Sequence, residues 1–216
     1  MSRALVAEAL GTLLLVAAVI GSAIMASALT QDTGVLLLAN AIATGCALLT
    51  LITLFAPLSG AHFNPAVTLV MALRREIAVP TALAYVAAQC VGGVAGTLLT
   101  HAMFDLPLVQ VSTHVRGGGG QFLAEVIATF GLILTILGGR HAANLPALIA
   151  AYITAAYWFT ASTSFANPVM DLARALTDTP SGISPADAPA FLLAQILGAV
   201  LAALLGSWLF QDRAKP

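Results

Sequence analysis

Charge is what this sequence has least of. Asp, Glu, Lys and Arg make up 8% of its 216 residues, against the roughly 25% that a soluble domain carries. With 60% hydrophobic residues and a mean hydropathy of +0.98, a chain so poor in charge is that of an integral membrane protein, and lipid is its first partner. The formal net charge of -1 supplies neither a polybasic surface nor an acidic tail, so no nucleic-acid partner is expected. Cysteine is nearly absent too. Cys46 and Cys90 each lie in an apolar run, away from any CxxC or Cys/His spacing, and read as small buried hydrophobes, with no metal site. No nucleophile–base pair or ligand cluster stands near a plausible cavity, which disfavours an enzyme and leaves no cofactor to expect. The first apolar run lacks a small-residue cleavage site and reads as a retained helix.

What the chain does have is long apolar runs and repetition. Segments at about 4–28, 35–55 (ending at Pro57), 82–104, 122–139, 145–161 and 191–210 predict six spans of a hydrocarbon core about 30 Å thick. Two shorter segments follow an Asn-Pro pair. Asn64-Pro65-Ala66 opens 65–73, which Arg74-Arg75-Glu76 closes, and Asn167-Pro168-Val169 opens 168–177. A small polar residue before a first-turn proline is an N-capped helix start, and nine residues rise only about 14 Å, half the core. One such start is commonplace. Two, at matching places among apolar segments, predict half-helices that meet end to end.

The halves also repeat residue by residue. Ala7-Glu8-Ala9-Leu10-Gly11-Thr12 matches Ala124-Glu125-Val126-Ile127-Ala128-Thr129, and Ala88-Gln89-Cys90-Val91-Gly92-Gly93 matches Ala194-Gln195-Ile196-Leu197-Gly198-Ala199. Three spans per half is an odd number, so the second half enters from the opposite side. The expected fold is therefore an all-α integral membrane protein: six transmembrane helices plus two re-entrant half-helices in an inverted 3+3 repeat. Its parts are a first repeat 1–104, a connecting loop 105–120 ending in four glycines, and a second repeat 121–212. Arg3, Arg74, Arg75, Arg140, Arg213 and Lys215 fall on one side, Arg116 and Arg174 on the other. The positive-inside rule then puts both termini in the cytoplasm, in a multi-pass protein of the cell (inner) membrane.

Non-helical backbone survives at membrane depth only where it is buried or lines water. The segments before the two motifs, Gly60-Ala61-His62-Phe63 and Thr163-Ser164-Phe165-Ala166, would present carbonyls that replace the hydration of a passing hydroxyl compound. Two helix N-termini facing the centre each carry about +0.5 charge, and Asn64 and Asn167 add amide donors. A proton on a water wire meets a barrier there, while neutral molecules do not.

With these features together, the chain resembles the aquaporin (major intrinsic protein) family over essentially its whole length. Glu8 and Glu125 match the family's glutamates of the first and fourth spans, which hold the carbonyl-bearing loops. Within the family it is most similar to bacterial aquaglyceroporins of rhizobial type found with arsenic-resistance genes, through the stretch YITAAYWFTASTSFANP. The resemblance implies a right-handed bundle, one pore per subunit and a homotetramer. It also exposes a departure. Where most members read Asn-Pro-Ala-Arg, with the arginine forming the outer filter, this chain has Met170. Carrying over the other filter positions gives Thr44, Ala155 and Ser164, a small neutral set where water-selective members are bulky. The resemblance thus implies a wide neutral constriction for arsenous or antimonous acid, methylated arsenicals, glycerol, urea and water. A mainly water-conducting channel is the alternative.

Each of these residues also has a plainer reading. Asn64 and Asn167 as mere caps are worth about 1 kcal/mol each. Met170 fits core packing, and Val169 fits either narrowing of the midpoint or packing. Arg174, four residues after Met170, is either a cation in the outer mouth or the local ion partner of Asp171 and Asp178. Glu8 and Glu125 are either loop supports or a proton relay, and His62 supports backbone in preference to binding metal. His101, His114 and His141 read as surface or interfacial. Gly92, Gly93, Gly96 and Gly198 suit close helix packing. An ion-coupled secondary transporter also uses inverted repeats and broken helices, with only Glu8 and Glu125 to bind a coupling ion. A non-conducting structural relative would need a pore blocked by bulky side chains.

Overall fold

Residues 3–210 are described by a computed structural model; Arg213 and Lys215, used in the orientation argument, and the last two residues of the expected second repeat lie outside them. The described residues form eight helices and no strand: α1 (Arg3–Leu29), α2 (Thr33–Ser59), α3 (Pro65–Leu73), α4 (Val79–Met103), α5 (Gly119–Gly139), α6 (Leu145–Phe159), α7 (Pro168–Ala175) and α8 (Ala188–Leu209). Five of them, α1, α2, α4, α5 and α8, are long and apolar enough to cross a membrane. The remaining expected span, α6, has 15 residues, a rise of about 22 Å.

Two boundaries differ from expectation for local reasons. α2 runs through Pro57 to Ser59 instead of stopping before the proline. Gly60 closes it in the left-handed region (φ 86°), donating its N–H to Ala56 O at 2.9 Å. A proline so near a C-terminus removes one amide without breaking the turns before it. α5 starts at Gly119, so the glycine run contributes its last two residues to a helix.

The pairing of helices shows the repeat. α1 packs on α4 and α2 as α5 packs on α8 and α6; α3 lies on α4 as α7 lies on α8; and each half-helix also reaches across, α3 to α8 and α7 to α4. Small residues permit the closest approaches. A β-carbon at Gly92 would strike the Ala9 carbonyl, and one at Gly198 would strike that of Val126, so α1 against α4 and α5 against α8 each rest on the absence of a side chain. Phe63, Phe191, Ile20 and Ile133 are fully buried, while Leu83, Val91, Leu193, Leu204 and Trp208 are more than 60% exposed. Large apolar side chains on the outer face as well as in the core, with Glu8 and Glu125 buried inside, suit a lipid surround. Cys46 is exposed and Cys90 half-buried, both free, so they sit on outward faces and not in the core as expected. His101 also departs from expectation. It is fully buried, with Nδ1 2.8 Å from Leu108 O and Nε2 2.8 Å from Thr177 Oγ1, and ties the end of α4 to the end of α7.

A candidate transmembrane pore

Asn64 and Asn167 each cap a half-helix from an extended backbone (φ -155° and -160°), Asn64 Oδ1 accepting from Ala66 N at 2.8 Å and Asn167 Oδ1 from Val169 N at 3.1 Å. Their amide nitrogens point across to the opposite half. Asn64 Nδ2 donates to Ala166 O at 2.7 Å and Asn167 Nδ2 to Phe63 O at 2.9 Å. The two N-termini are thus stitched together at the centre, and each amide keeps one further N–H. The carbonyls of Phe63 and Ala166, expected to face a solute freely, each already accept one of these bonds, for which a carbonyl's second lone pair leaves room.

The segments leading to the motifs are unusual backbone. Ala61, Phe63, Thr163, Ser164 and Ala166 all have positive φ, between 47° and 60°, which costs on the order of 1–3 kcal/mol per residue. Two carboxylates hold them. Glu8 Oε1 accepts from Ser59 Oγ (2.6 Å) and His62 N (3.0 Å), and Oε2 from Phe63 N (2.7 Å) and Gln89 Nε2 (2.8 Å). Glu125 Oε1 accepts from Phe165 N (2.9 Å), and Oε2 from Ala166 N (2.8 Å) and Gln195 Nε2 (2.7 Å). Both carboxylates are fully buried, and their lone pairs are committed to the loops. That geometry is a loop support and leaves little for a relay.

A cavity of about 490 Å³ passes this junction. At one end it meets Glu76 and Arg140, which with Arg74 form an ion cluster (Arg74 Nε to Glu76 Oε1 2.8 Å, Arg140 Nη1 to the same oxygen 3.8 Å). It continues past Gly60, Ala61, His62 and Phe63, then Asn64 and Asn167, to Thr44, Ser164, Phe165, Ala166, Met170 and Arg174. Thr163 is not part of its wall. Nor are Pro65, Ala66, Pro168 and Val169, which line a second, apolar cavity of about 380 Å³ on the far side of the half-helices. There Val169 sits against Gly93 of α4, where a β-carbon would come within 2.9 Å of it. Its extra bulk is packing, away from the pore midpoint.

Two filter expectations need correction. Ala155 is exposed and faces away from the cavity. The α6 residues that line it are Leu145, Pro146, Ile149, Ile153 and Tyr157, four of them spaced i, i+4, i+8, i+12 on one face, and Ala155 lies two residues, about 200°, from the nearest on that face. The position across from Thr44 therefore belongs to Tyr157, whose hydroxyl is 3.1 Å from Thr44 Oγ1. The second correction concerns charge. Arg174 is 3% exposed and lines the cavity. Its Cζ lies 3.3 Å over the Phe165 ring and its Nε donates to Ser181 O. The expected ion pair is absent among the described residues. Asp171 turns to Gln195 Nε2 (3.1 Å) and Asp178 to the Thr113 N–H (2.8 Å). The constriction is not neutral, because a guanidinium one turn beyond Met170 stands in its wall.

Sequence reasoning missed three supports. Gln89 bridges Glu8 to Thr68 Oγ1 (3.0 Å), and Gln195 bridges Glu125 to Asp171; both glutamines stand in the repeated sextets, which was signal enough to find them. Tyr85 donates to Ser59 O at 3.1 Å and stacks edge-on against His62. His62 lines the cavity, and its Nδ1 is 3.1 Å from Thr68 Oγ1, a contact to a side-chain hydroxyl and not to the backbone it was expected to support. Among the described residues no group of three or more His, Cys, Asp or Glu is placed to hold a metal ion.

Comparison with known proteins agrees with this architecture. The sequence model described as Major intrinsic protein matches residues 1–146. The aquaglyceroporin AqpS of Rhizobium meliloti is 57% identical over 218 aligned residues, covering 100% of this chain and 93% of its own. The probable aquaporin PIP2-8 of Oryza sativa is 35% identical over 62% of this chain and 50% of its own length. In three dimensions the chain is similar to the crystallised aquaglyceroporin of Plasmodium falciparum, with a TM-score of 0.76 over 94% of both chains. At 22% identity that likeness speaks for the fold alone.

Proposed function

The chain belongs to the major intrinsic protein family, a family of membrane channels, and on that premise we propose that it is a passive pore for small uncharged solutes larger than water. The solutes we assign are arsenous and antimonous acid, with glycerol, urea, water and methylated arsenicals as further cargo. The observation that carries this reading is the wall of the outer constriction: Thr44, Ser164 and Met170 beside a cavity of about 490 Å³, with methionine where most of the family has arginine. Hydroxyls on one side and a thioether on the other suit a compact trihydroxy molecule, whose O–H groups exchange water for these acceptors. The name of the 57% identical relative, an aquaglyceroporin, supports the same class. Asn64 and Asn167 act as donors at the pore centre. The carbonyls of residues 60–63 and 164–166 serve as acceptors, and Glu8 and Glu125 keep them aimed. The two repeats, 1–104 and 121–212 joined by 105–120, assemble as a homotetramer in the cell (inner) membrane with both termini cytoplasmic.

A mainly water-conducting pore is the second reading, favoured by one observation: Tyr157 and Arg174 line the cavity where a smaller, neutral wall was expected. Stopped-flow light scattering on reconstituted liposomes separates the two. Arsenous acid and glycerol uptake well above that of protein-free vesicles, cut at least several-fold more than water flow by Met170→Arg, supports the wide pore. Water flow alone overturns it. Uptake that requires a proton or sodium gradient would replace the passive pore with a coupled transporter.

A further inference from the structure

Arg174 is a buried cation with no ion-pair partner in direct contact among the described residues. Both flanking acids are engaged elsewhere, Asp171 by Gln195 and Asp178 by Thr113, and among the described residues no carboxylate oxygen lies within 4.0 Å of its guanidinium. Only its Nε is bonded, to Ser181 O, while Phe165 holds the plane from one face. The two terminal nitrogens make no hydrogen bond to the described residues, so the fork that recognises planar oxyanions is free. A second observation points the same way. Ser164 lines the same cavity, is 3% exposed, and its Oγ is buried with no partner. A buried hydroxyl left unsatisfied beside a guanidinium fork with bonds to spare is costly unless something else satisfies it.

We infer that Arg174 and Ser164 form a binding site for a small monocarboxylate anion in the outer constriction, so that the pore takes up formate-sized carboxylates as anions. One carboxylate oxygen accepts from the Arg174 terminal nitrogens and the other from the Ser164 hydroxyl, with the Thr44–Tyr157 hydroxyl pair offering a further O–H. Met170 supplies an apolar wall against which C–H groups lie. Electrostatics beyond the site agree in sign. The half-helix N-termini that lie further in carry positive partial charge. Arg116 adds a second guanidinium, its Cζ 5.2 Å from the centre of the Phe165 ring, hydrogen-bonded among the described residues to the carbonyls of Gly182 and Pro180. Glu125 and Asp171, the nearby buried carboxylates, act against this sign, but they are turned to the loop amides and to Gln195, and neither comes within 4.0 Å of the guanidinium. In a family with arginine at the Met170 position the same charge would narrow the filter; here it stands one turn outward, beside a wider wall.

This inference rests on the passive-pore reading, and the experiment keeps the two apart. Uptake of radiolabelled formate and of glycerol is measured in parallel into liposomes holding the reconstituted full chain, at pH 6.5, 7.5 and 8.5. A carboxylic acid of ordinary pKa is more than ~99% ionised throughout, and its neutral form falls about tenfold per pH unit. Formate uptake well above that of protein-free vesicles, changing little with pH and driven by an inside-positive potential, is the expected result. Uptake that falls tenfold per pH unit would mean passage of the neutral acid and would overturn the inference, as would glycerol uptake without formate uptake. Failure of both solutes would remove the pore reading and this inference with it. Arg174→Gln should lower the formate-to-glycerol ratio at least tenfold and Arg174→Lys by less, since it keeps charge but loses the fork. Ser164→Ala, a smaller change that the fold tolerates more easily, should lower the ratio several-fold. An unchanged ratio in Ser164→Ala and Arg174→Gln alike excludes the site.

Discussion

The two half-helices are built on one plan and differ where the plan is not needed. On both sides a glutamate accepts the amides of two residues before the motif, a glutamine braces that glutamate, and an asparagine reaches across to the other half. Around the first motif the remaining brace is Thr68, which satisfies Gln89 and the Asn64 carbonyl. Around the second it is Asp171, a buried carboxylate with one oxygen unpartnered. The first half contributes a largely apolar wall with Thr44, and two residues, Arg74 and Glu76, of an ion cluster that Arg140 of the second half completes. The second contributes Ser164, Met170 and Arg174. Symmetry serves the scaffold, and on the proposed pore reading departure from it would carry selectivity, because a solute reads only the side chains in the wall.

The largest test of that comparison removes the shared element. Glu8→Ala strands four donors, two of them only part-buried, and Glu125→Ala three buried ones, and a buried donor left without its acceptor costs about 1–3 kcal/mol. The midpoint of thermal unfolding in detergent should fall on the order of 10 °C for a chain of this size, slightly more for Glu8→Ala. Equal wild-type-like midpoints would mean the carboxylates are not what holds the strained loops. Next come the paired glycines. Gly92→Leu and Gly198→Leu each drive a side chain into an opposing backbone, and overpacking costs about 1–3 kcal/mol or more. Loss of folded yield to a similar degree in both is expected, and a marked difference would break the symmetry of α1 on α4 with α5 on α8. Smaller still is Asp171→Thr, which copies the first half into the second. It removes the unpartnered carboxylate oxygen and keeps an acceptor for Gln195, so the midpoint should rise by a few degrees, about 1 kcal/mol. A fall would show that Asp171 does something Thr68 does not.

The scaffold was legible in the sequence because it is periodic and repeated. The Asn-Pro pairs, Glu8 with Glu125, and Gln89 with Gln195 can be found by laying one half on the other. The filter was legible only in part, because it depends on helix phase and on side-chain choices that spacing leaves open. Ala155 was two residues out of phase with Ile149, Ile153 and Tyr157, and α6 is too uniformly apolar to reveal which face is inward. Arg174 has acids three before and four after it, so spacing alone favours a surface ion pair. What decides otherwise is that Gln195 and the Thr113 amide reach those acids first, both contacts between residues more than 20 positions apart.

The two ends of the cavity are also held differently, and this yields the smallest prediction. The end near the first half-helix carries the Arg74–Glu76–Arg140 cluster. At the other end the chain joining the halves lies along the exit of α7, with Gln110 N bonded to Leu176 O (3.3 Å), Ser112 N to Ala175 O (3.1 Å) and Ser184 N to His114 O (2.7 Å). Asp178 fastens that strap, accepting from the Thr113 N–H at 2.8 Å and hydroxyl at 2.9 Å. The Thr113 backbone amide first, then its hydroxyl, hold the Asp178 carboxyl below its ordinary pKa. A depressed folded pKa adds stability above the unfolded value near 3.9 that is lost as pH falls through the folded one. Asp178 is exposed and screened by solvent, so the effect is local. Hydrogen exchange at the Thr113 amide, corrected for the intrinsic pH dependence, should lose protection as pH drops below about 4 and be unprotected at neutral pH in Asp178→Asn. If Thr113 protection is the same in Asp178→Asn as in the parent chain, the backbone bonds of Gln110, Ser112 and Ser184 hold the strap alone. The two ends would then differ in kind, one fastened by charge and the other by backbone.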